Sequence, residues 1–302
     1  MPRIVLTRKI IMPFTQQEER DLNDAVLMLE NPGLAAKLAN YLAVPLERGL
    51  KSLPDGANKK IVKITQAALM QAAKAAVSTM RGPRGTAKSN KIHKAIAAAT
   101  GGVGGFFGLL ALPVELPLST VVMMRSILDI ARAEGEDVQS FETKLAALEV
   151  FALGGPGNKD DNSDIGYYAV RAALSSHVLV AANYMAKISA EQAGKGGAAA
   201  AAAIVKSMVE ENAPVIVRLI AAVAQRFSVQ VSEKIMAESI PIVGAAGGAA
   251  VNFLFMAHYQ DMARGHFTVR RLERKYGKEA VAEMYKKYKE EAEKRKEKQL
   301  LR

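Results

Sequence analysis

Apolar residues between Asn58 and Met80 fall at Ile61, Ile64, Ala68, Leu69, Ala72, Ala75 and Ala76, the three-and-four spacing that lays one stripe along a helix. From Leu118 to Glu134 the polar positions carry the period instead. Arg125, Asp129, Arg132 and Glu136 step by i, i+4, i+7 and i+11, and Val121–Met124, Ile127 and Leu128 fill the remainder. Thr15-Gln16-Gln17-Glu18 is a capping box, and the helix it starts is expected to end at Asn31-Pro32-Gly33. A shorter helix should run from there toward Tyr41, and another from Val44-Pro45 toward Leu53-Pro54-Asp55-Gly56. Arg81-Gly82-Pro83-Arg84-Gly85 breaks the 58–80 helix. Asp137 is expected to cap the next helix, which ends near Ala152–Gly157, and a polar loop leads from there into a helix through Tyr167, Tyr168, Arg171 and His177. Gly194–Ala203 reads as a flexible loop entering an alanine-rich helix. No alternation long enough for a sheet appears, so the fold class is all-α, a compact multi-helix bundle. Its organisation is a helical lead-in (1–56), a helical core (57–277) and a charged C-terminal helix (278–302).

Two stretches are not amphipathic. Ala95–Val114 has no charge over 20 residues and Ser239–Gln260 none over 22, each about the length that crosses a bilayer. Both hold small residues four apart: Gly101 with Gly105, Gly104 with Gly108, and Gly244 with Gly248, positions where a second helix backbone approaches closely. Pro113, Pro117 and Pro241 flank these stretches, and Asn252 and His258 dilute the second. They are read as helices buried in the protein or dipping into one leaflet.

Charge adds a direction to that picture. The 302 residues carry 41 Lys and Arg against 30 Asp and Glu, a formal charge of +11. No acid occurs between Asp55 and Glu115, where the cations are Lys59, Lys60, Lys63, Lys74, Arg81, Arg84, Lys88, Lys91 and Lys94. That stretch is the expected membrane- and anion-binding surface, because it runs straight into the first glycine-rich segment. No aromatics interleave with it, so no stacking platform for nucleic acid is expected. Mean hydropathy is +0.04, high for a water-soluble globule and low for a polytopic membrane protein. Cysteine is absent, which removes disulfides, a thiol nucleophile and Cys-ligated metals. Met1–Phe14 lacks a signal-peptide core and reads as mature sequence facing the cytosol.

Catalytic signatures are scarce. Gly102-Val103-Gly104 continues to Phe107 where a dinucleotide fingerprint needs its third glycine. The Asp160, Asn162, Asp164 spacing lacks the later glycine and glutamate of a calcium loop. His258, Asp261 and His266 match no metalloprotease spacing and are read as hydrogen-bonded structural groups; no metal or other cofactor is expected.

The blocks GGVGGFFGLLALPVELPLSTVVMMRSILDIARAEGED (Gly101–Asp137), LEVFALGG (Leu148–Gly155), GYYAVRAAL (Gly166–Leu174) and IPIVGAAGGAAVNFLFMAHYQDMARGHFTVRRLERKYG (Ile240–Gly277), in that order, resemble the EcsC family of bacterial proteins. The resemblance implies a helical, membrane-associated cytoplasmic protein, peripheral on the cytosolic face of the inner membrane. The family's namesake is encoded beside an ABC-type transporter, which implies an accessory role in transport or secretion and that transporter as a partner. Carried over by position, the polar residues in the blocks are Arg125, Asp129, Glu149, Tyr168, Arg171, Asn252, Asp261, His266 and Arg270, read as an internal ion-pair and hydrogen-bond network. The function expected is binding of anionic membrane lipid. The alternatives are a lipid or peptide hydrolase, with His266 and Asp261 as its acid–base pair, and a nucleic-acid binder.

Overall fold

The computed structural model describes residues 14–30, 33–42, 56–79, 112–155, 166–192, 194, 197–208, 214–238 and 244–300, and every regular element among them is helical. The helices are α1 (Gln16–Leu29), α2 (Leu34–Leu42), α3 (Ala57–Thr79), α4 (Leu112–Ala133), α5 (Phe141–Glu149), α6 (Tyr167–Glu191), α7 (Gly197–Ser207), α8 (Pro214–Glu238), α9 (Gly244–Tyr276) and α10 (Lys278–Leu300). A single 3-10 turn, Val150–Ala152, follows α5.

Local chemistry sets most of the boundaries. Thr15 Oγ1 accepts from the Glu18 N–H at 3.2 Å, and Glu18 Oε2 accepts from the Thr15 N–H at 3.0 Å, so the capping box is closed. At α5 the cap is Ser140 rather than the expected Asp137: its Oγ accepts from the Thr143 N–H at 3.1 Å. Asp137 instead accepts from the Gln139 N–H at 2.9 Å, holding the turn that precedes the cap. The uncharged stretch expected to end at Gln260 is, from Gly244 onward, the start of a 33-residue helix that continues unbroken to Tyr276. The backbone has no proline to stop it there, and the arrival of charge at Asp261 changes the neighbours, not the helix.

Side-chain bonds fix how the long helices run. Asn252 bonds Glu115 and Gln260 bonds Ser126, so α4 and α9 lie side by side in the same direction. Tyr259 donates to Gln230 at 2.6 Å, setting α8 against α9. Ala73, Ala76 and Val77 at the end of α3 share one small apolar cavity with Ile216 at the start of α8, so α3 runs against α8 and along α4. The starts of α3, α4 and α9 and the end of α8 therefore gather at one end of the bundle, the basal end. The far end of α9 meets α5, α6 and α10 at the distal end.

Between them lies an aromatic knot of Phe151, Phe227, Phe255 and Tyr259, all 0–1% exposed. Gln230 ties the knot to the chain by donating to the Leu153 carbonyl at 2.7 Å. Two glycines allow close passage. A Cβ on Gly265 would lie 2.6 Å from Leu29 Cγ, so α1 seats directly on the α9 backbone. Gly154, at φ +70°, would drive a Cβ to 2.6 Å from the His258 ring. The lead-in and the tail are both fastened to the core. Lys275 and Tyr276 bond Glu18, Tyr285 donates to Glu30 at 2.8 Å, and the later turns of α10 are exposed.

Among the described residues, α8 is the one helix long and apolar enough to cross a membrane, and over half of its apolar window is buried inside the bundle.

Candidate functional site

At the distal end four helices bring charged side chains together. Arg171 of α6 grips Glu273 of α9 with two parallel bonds, Nη1 to Oε1 at 2.7 Å and Nη2 to Oε2 at 3.0 Å, and Tyr168 donates to the same carboxylate at 3.1 Å. One turn back on α9, Arg270 bonds Glu136 at 2.8 Å and Glu142 at 3.0 Å. Arg274 also closes on Glu136. Every guanidinium in this cluster is already matched to a carboxylate.

Glu149, the last residue of α5, is not matched. It is 6% exposed, accepts no hydrogen bond among the described residues, and has His266 Nε2 as a neighbour at 4.0 Å. Burial pushes its carboxyl up to about 7, against the pull of Arg171 and Arg270. His266 is fully buried, with Nδ1 3.0 Å from the Tyr167 hydroxyl. Burial, with Arg171 and Arg270 nearby, holds its pKa well below the usual imidazole range, so the ring is neutral.

Glu142, Glu149, Tyr168, Arg171, Arg270 and Glu273 border an open cleft of about 680 Å³ between α5, α6, α9 and α10. Charge lines one part of it, with Glu149, Arg171, Arg270, Glu273 and Lys278; further along, α6 adds apolar Ala172, Val178, Leu179 and Ala182, interleaved with Ser175 and Asn183. Leu179 is 63% exposed.

The nine polar positions expected to form one network fall into separate groups. Glu149, Tyr168, Arg171, His266 and Arg270 meet at the distal cleft. Asn252 is basal, donating to Glu115 at 3.1 Å, and Glu115 also receives Lys234 at 2.5 Å. Lys234, 0% exposed, reaches Glu238 at 3.0 Å. Burial would strip its proton, but Glu238 and Glu115 outweigh that and raise its pKa. Asp129 pairs with Arg132 at 2.9 Å along α4, and Arg125 is exposed.

Asp261 binds Lys37 at 3.4 Å and Arg264 at 3.0 Å, on a different side of α9 from His266. Five helical residues turn two side chains well apart, so the structure does not bring these two together as an acid–base pair. His258, expected to be hydrogen-bonded, is buried with both ring nitrogens unpaired, and burial lowers its pKa to about 3. No group of three His, Asp or Glu that could hold a metal occurs among the described residues.

Sequence reasoning did not single out Lys234, Glu238 and Glu273, and it named Glu115, Glu136 and Tyr167 only as positions along the chain. Lys234 and Glu238, four apart on α8, were the one local signal available.

At the basal end Lys59, Lys60 and Lys63 are exposed on the first turns of α3. Val114 is 69% exposed, Leu118 56% and Phe253 43%. The two glycine-rich stretches join the bundle at this end, at the starts of α4 and α9. Gly244 opens α9 and Gly248 is buried in its second turn. Lys74 is half-buried near the other end of α3. Arg81, Arg84, Lys88, Lys91, Lys94, Gly101, Gly104, Gly105 and Gly108, and the 158–164 loop, lie outside the described residues.

The family model of the EcsC protein family matches residues 35–272. No curated protein and no solved structure matches the chain.

Proposed function

The chain belongs to the EcsC protein family, and we propose that it is a peripheral protein of the cytosolic membrane face whose basal end adsorbs to anionic lipid. The observation that carries this reading is the composition of that end. Exposed Val114, Leu118 and Phe253 sit at the end of the bundle where α4 and α9 begin, with Lys59, Lys60 and Lys63 on the neighbouring helix start. A cation near an anionic leaflet contributes about 1 kcal/mol, and a large apolar side chain taken fully out of water roughly 1.5–3 kcal/mol. Neither set alone holds a protein firmly on a bilayer, whereas the two together do. The accessory role in ABC-type transport or secretion comes to this reading from the family resemblance, with the transporter as the partner.

Flotation of the full chain with vesicles of graded anionic-lipid content tests the membrane reading. Binding should rise with anionic lipid and fall with salt. Reversing Lys59, Lys60 and Lys63 to Glu should weaken it, and Leu118→Glu with Phe253→Glu should abolish it at physiological salt. Salt-insensitive binding to neutral vesicles, or binding that ignores both variants, would overturn the assignment of the basal end.

A further inference from the structure

The distal cleft is a second site, at the opposite end of α9 from the proposed membrane face. Its charged wall has been filled from within, except at one point. Arg171 and Tyr168 are taken by Glu273, and Arg270 by Glu136 and Glu142. Glu149 alone lines the cleft more than nine-tenths buried with no hydrogen bond among the described residues. A buried carboxyl left in that state is costly unless a donor reaches it from the cleft. The cleft border counts Glu142, Glu149, Glu273 and Glu279 against Arg171, Arg270 and Lys278, one carboxylate in excess, so a donor carrying a single positive charge is the one that would balance it. Beside it, α6 offers apolar Val178, Leu179 and Ala182 along a border that runs from Tyr168 to Asn183, about 20 Å at 1.5 Å per residue.

We propose that this cleft binds one molecule of a primary-amine amphiphile, with the ammonium on Glu149 and the alkyl arm along Val178, Leu179 and Ala182. The groups facing Glu149 are consistent with an exchangeable charge there. Arg171 and Tyr167 from α6, Arg270, His266 and Glu273 from α9, and Lys278 from α10 surround it. Arg171 and Arg270 are neutralised by their own partners, His266 is uncharged, and burial leaves Glu149 protonated about half the time near pH 7. An arriving ammonium takes the place of that proton, which passes to solvent, so the charge inside the cleft is unchanged by binding. Amine affinity therefore rises from pH 6 to pH 8 as the proton becomes easier to release.

The test is calorimetric titration of the full chain with n-octylamine, 1-octanol, octanoate and ethylamine, each below its aggregation concentration. No vesicle is involved, so failure here leaves the membrane reading intact, and failure of flotation leaves this one intact. Octylamine should bind once per chain, about tenfold or more tighter than octanol or octanoate, as a charge-assisted bond to a buried carboxylate requires. It should release protons to buffer and bind more tightly at pH 8 than at pH 6. Glu149→Gln should remove both the amine preference and the pH dependence. Leu179→Asn, at a surface position that does not test folding, should bring octylamine down toward ethylamine. Octanoate or octanol binding as well as octylamine, an unchanged preference in either variant, or no binding at all would overturn the proposal.

Discussion

Glu233 offers the sharpest stability test. It sits in the last turns of α8, 3% exposed, accepting from the Ala35 backbone N–H while its Oε2 has no partner. Burial pushes its carboxyl from the ordinary 4.5 up to about 7. A pKa raised on folding means that the native state holds the proton the unfolded chain has released. Stability is therefore fully present below pH 4.5, declines as pH rises toward 7, and levels off above that. At about 1.4 kcal/mol per pH unit, the difference between those values amounts to roughly 3 kcal/mol, an upper figure for one group. Glu233→Gln keeps the acceptor for Ala35 and never ionises. It should match the parent near pH 5 and exceed it by about 2–3 kcal/mol at pH 8. Glu149, raised for the same reason to about 7, contributes a second decline over the same range, while the buried neutral His258 and His266 contribute a rise below about pH 6.5, so the variant carrying both Glu233→Gln and Glu149→Gln should gain on the parent by more than Glu233→Gln alone as pH rises from 5 to 8. Carboxylates held low, such as Glu18 under Lys275, Tyr276 and Thr15, act oppositely below pH 4.5, which is why the comparison starts at pH 5. Urea unfolding followed by helical circular dichroism at pH 5, 6, 7 and 8 measures all three chains. A Glu233→Gln chain that keeps the parental slope, or is less stable than the parent at pH 8, would refute the argument.

Three further outcomes are expected. Lys234→Met strands Glu115 and Glu238 in the core and should cost about 3–5 kcal/mol, while the same change with Glu115→Leu and Glu238→Leu should recover most of that in urea titrations. Gly265→Ala forces a methyl to 2.6 Å from Leu29 Cγ and should destabilise by about 1–3 kcal/mol, with Leu29→Ala partly compensating; limited proteolysis near α1 would report the same loosening. Ser140→Ala removes the α5 cap and should lower stability by about 1 kcal/mol, whereas Asp137→Ala should cost less because its carboxylate holds only the preceding turn.

Helix existence was legible wherever the signal was local. The capping box at Thr15, the apolar stripe of residues 58–80 and the polar stripe from Arg125 were each enough to place an element. The cap of α5 was missed because Asp137 and Ser140 are both good cap residues and only the folded geometry, in which Ser140 receives the Thr143 N–H, decides between them. The extent of α9 did not follow from the sequence, because the change from apolar to charged residues after Gln260 is accompanied by no backbone break and the helix runs on to Tyr276. The site was less legible. Arg171 and Glu273 are 102 positions apart, and nothing near either names the other. Glu149 stands out only once burial and the prior commitments of its neighbours are known, and neither is a property of local sequence.

The seat of α1 on α9 also has a consequence for biosynthesis. Asp21 and Arg271 meet across 250 positions of chain. At 5–20 residues per second, α1 is made roughly 12–50 s before the helix that receives it. Throughout that interval Leu22, Val26 and Leu29 have no α9 to bury against, and the basal Glu115 lacks Asn252. The bundle thus closes from its C-terminal side. A chain stopped after α8 presents open apolar faces rather than a smaller folded protein, and it is a substrate for chaperones and proteases.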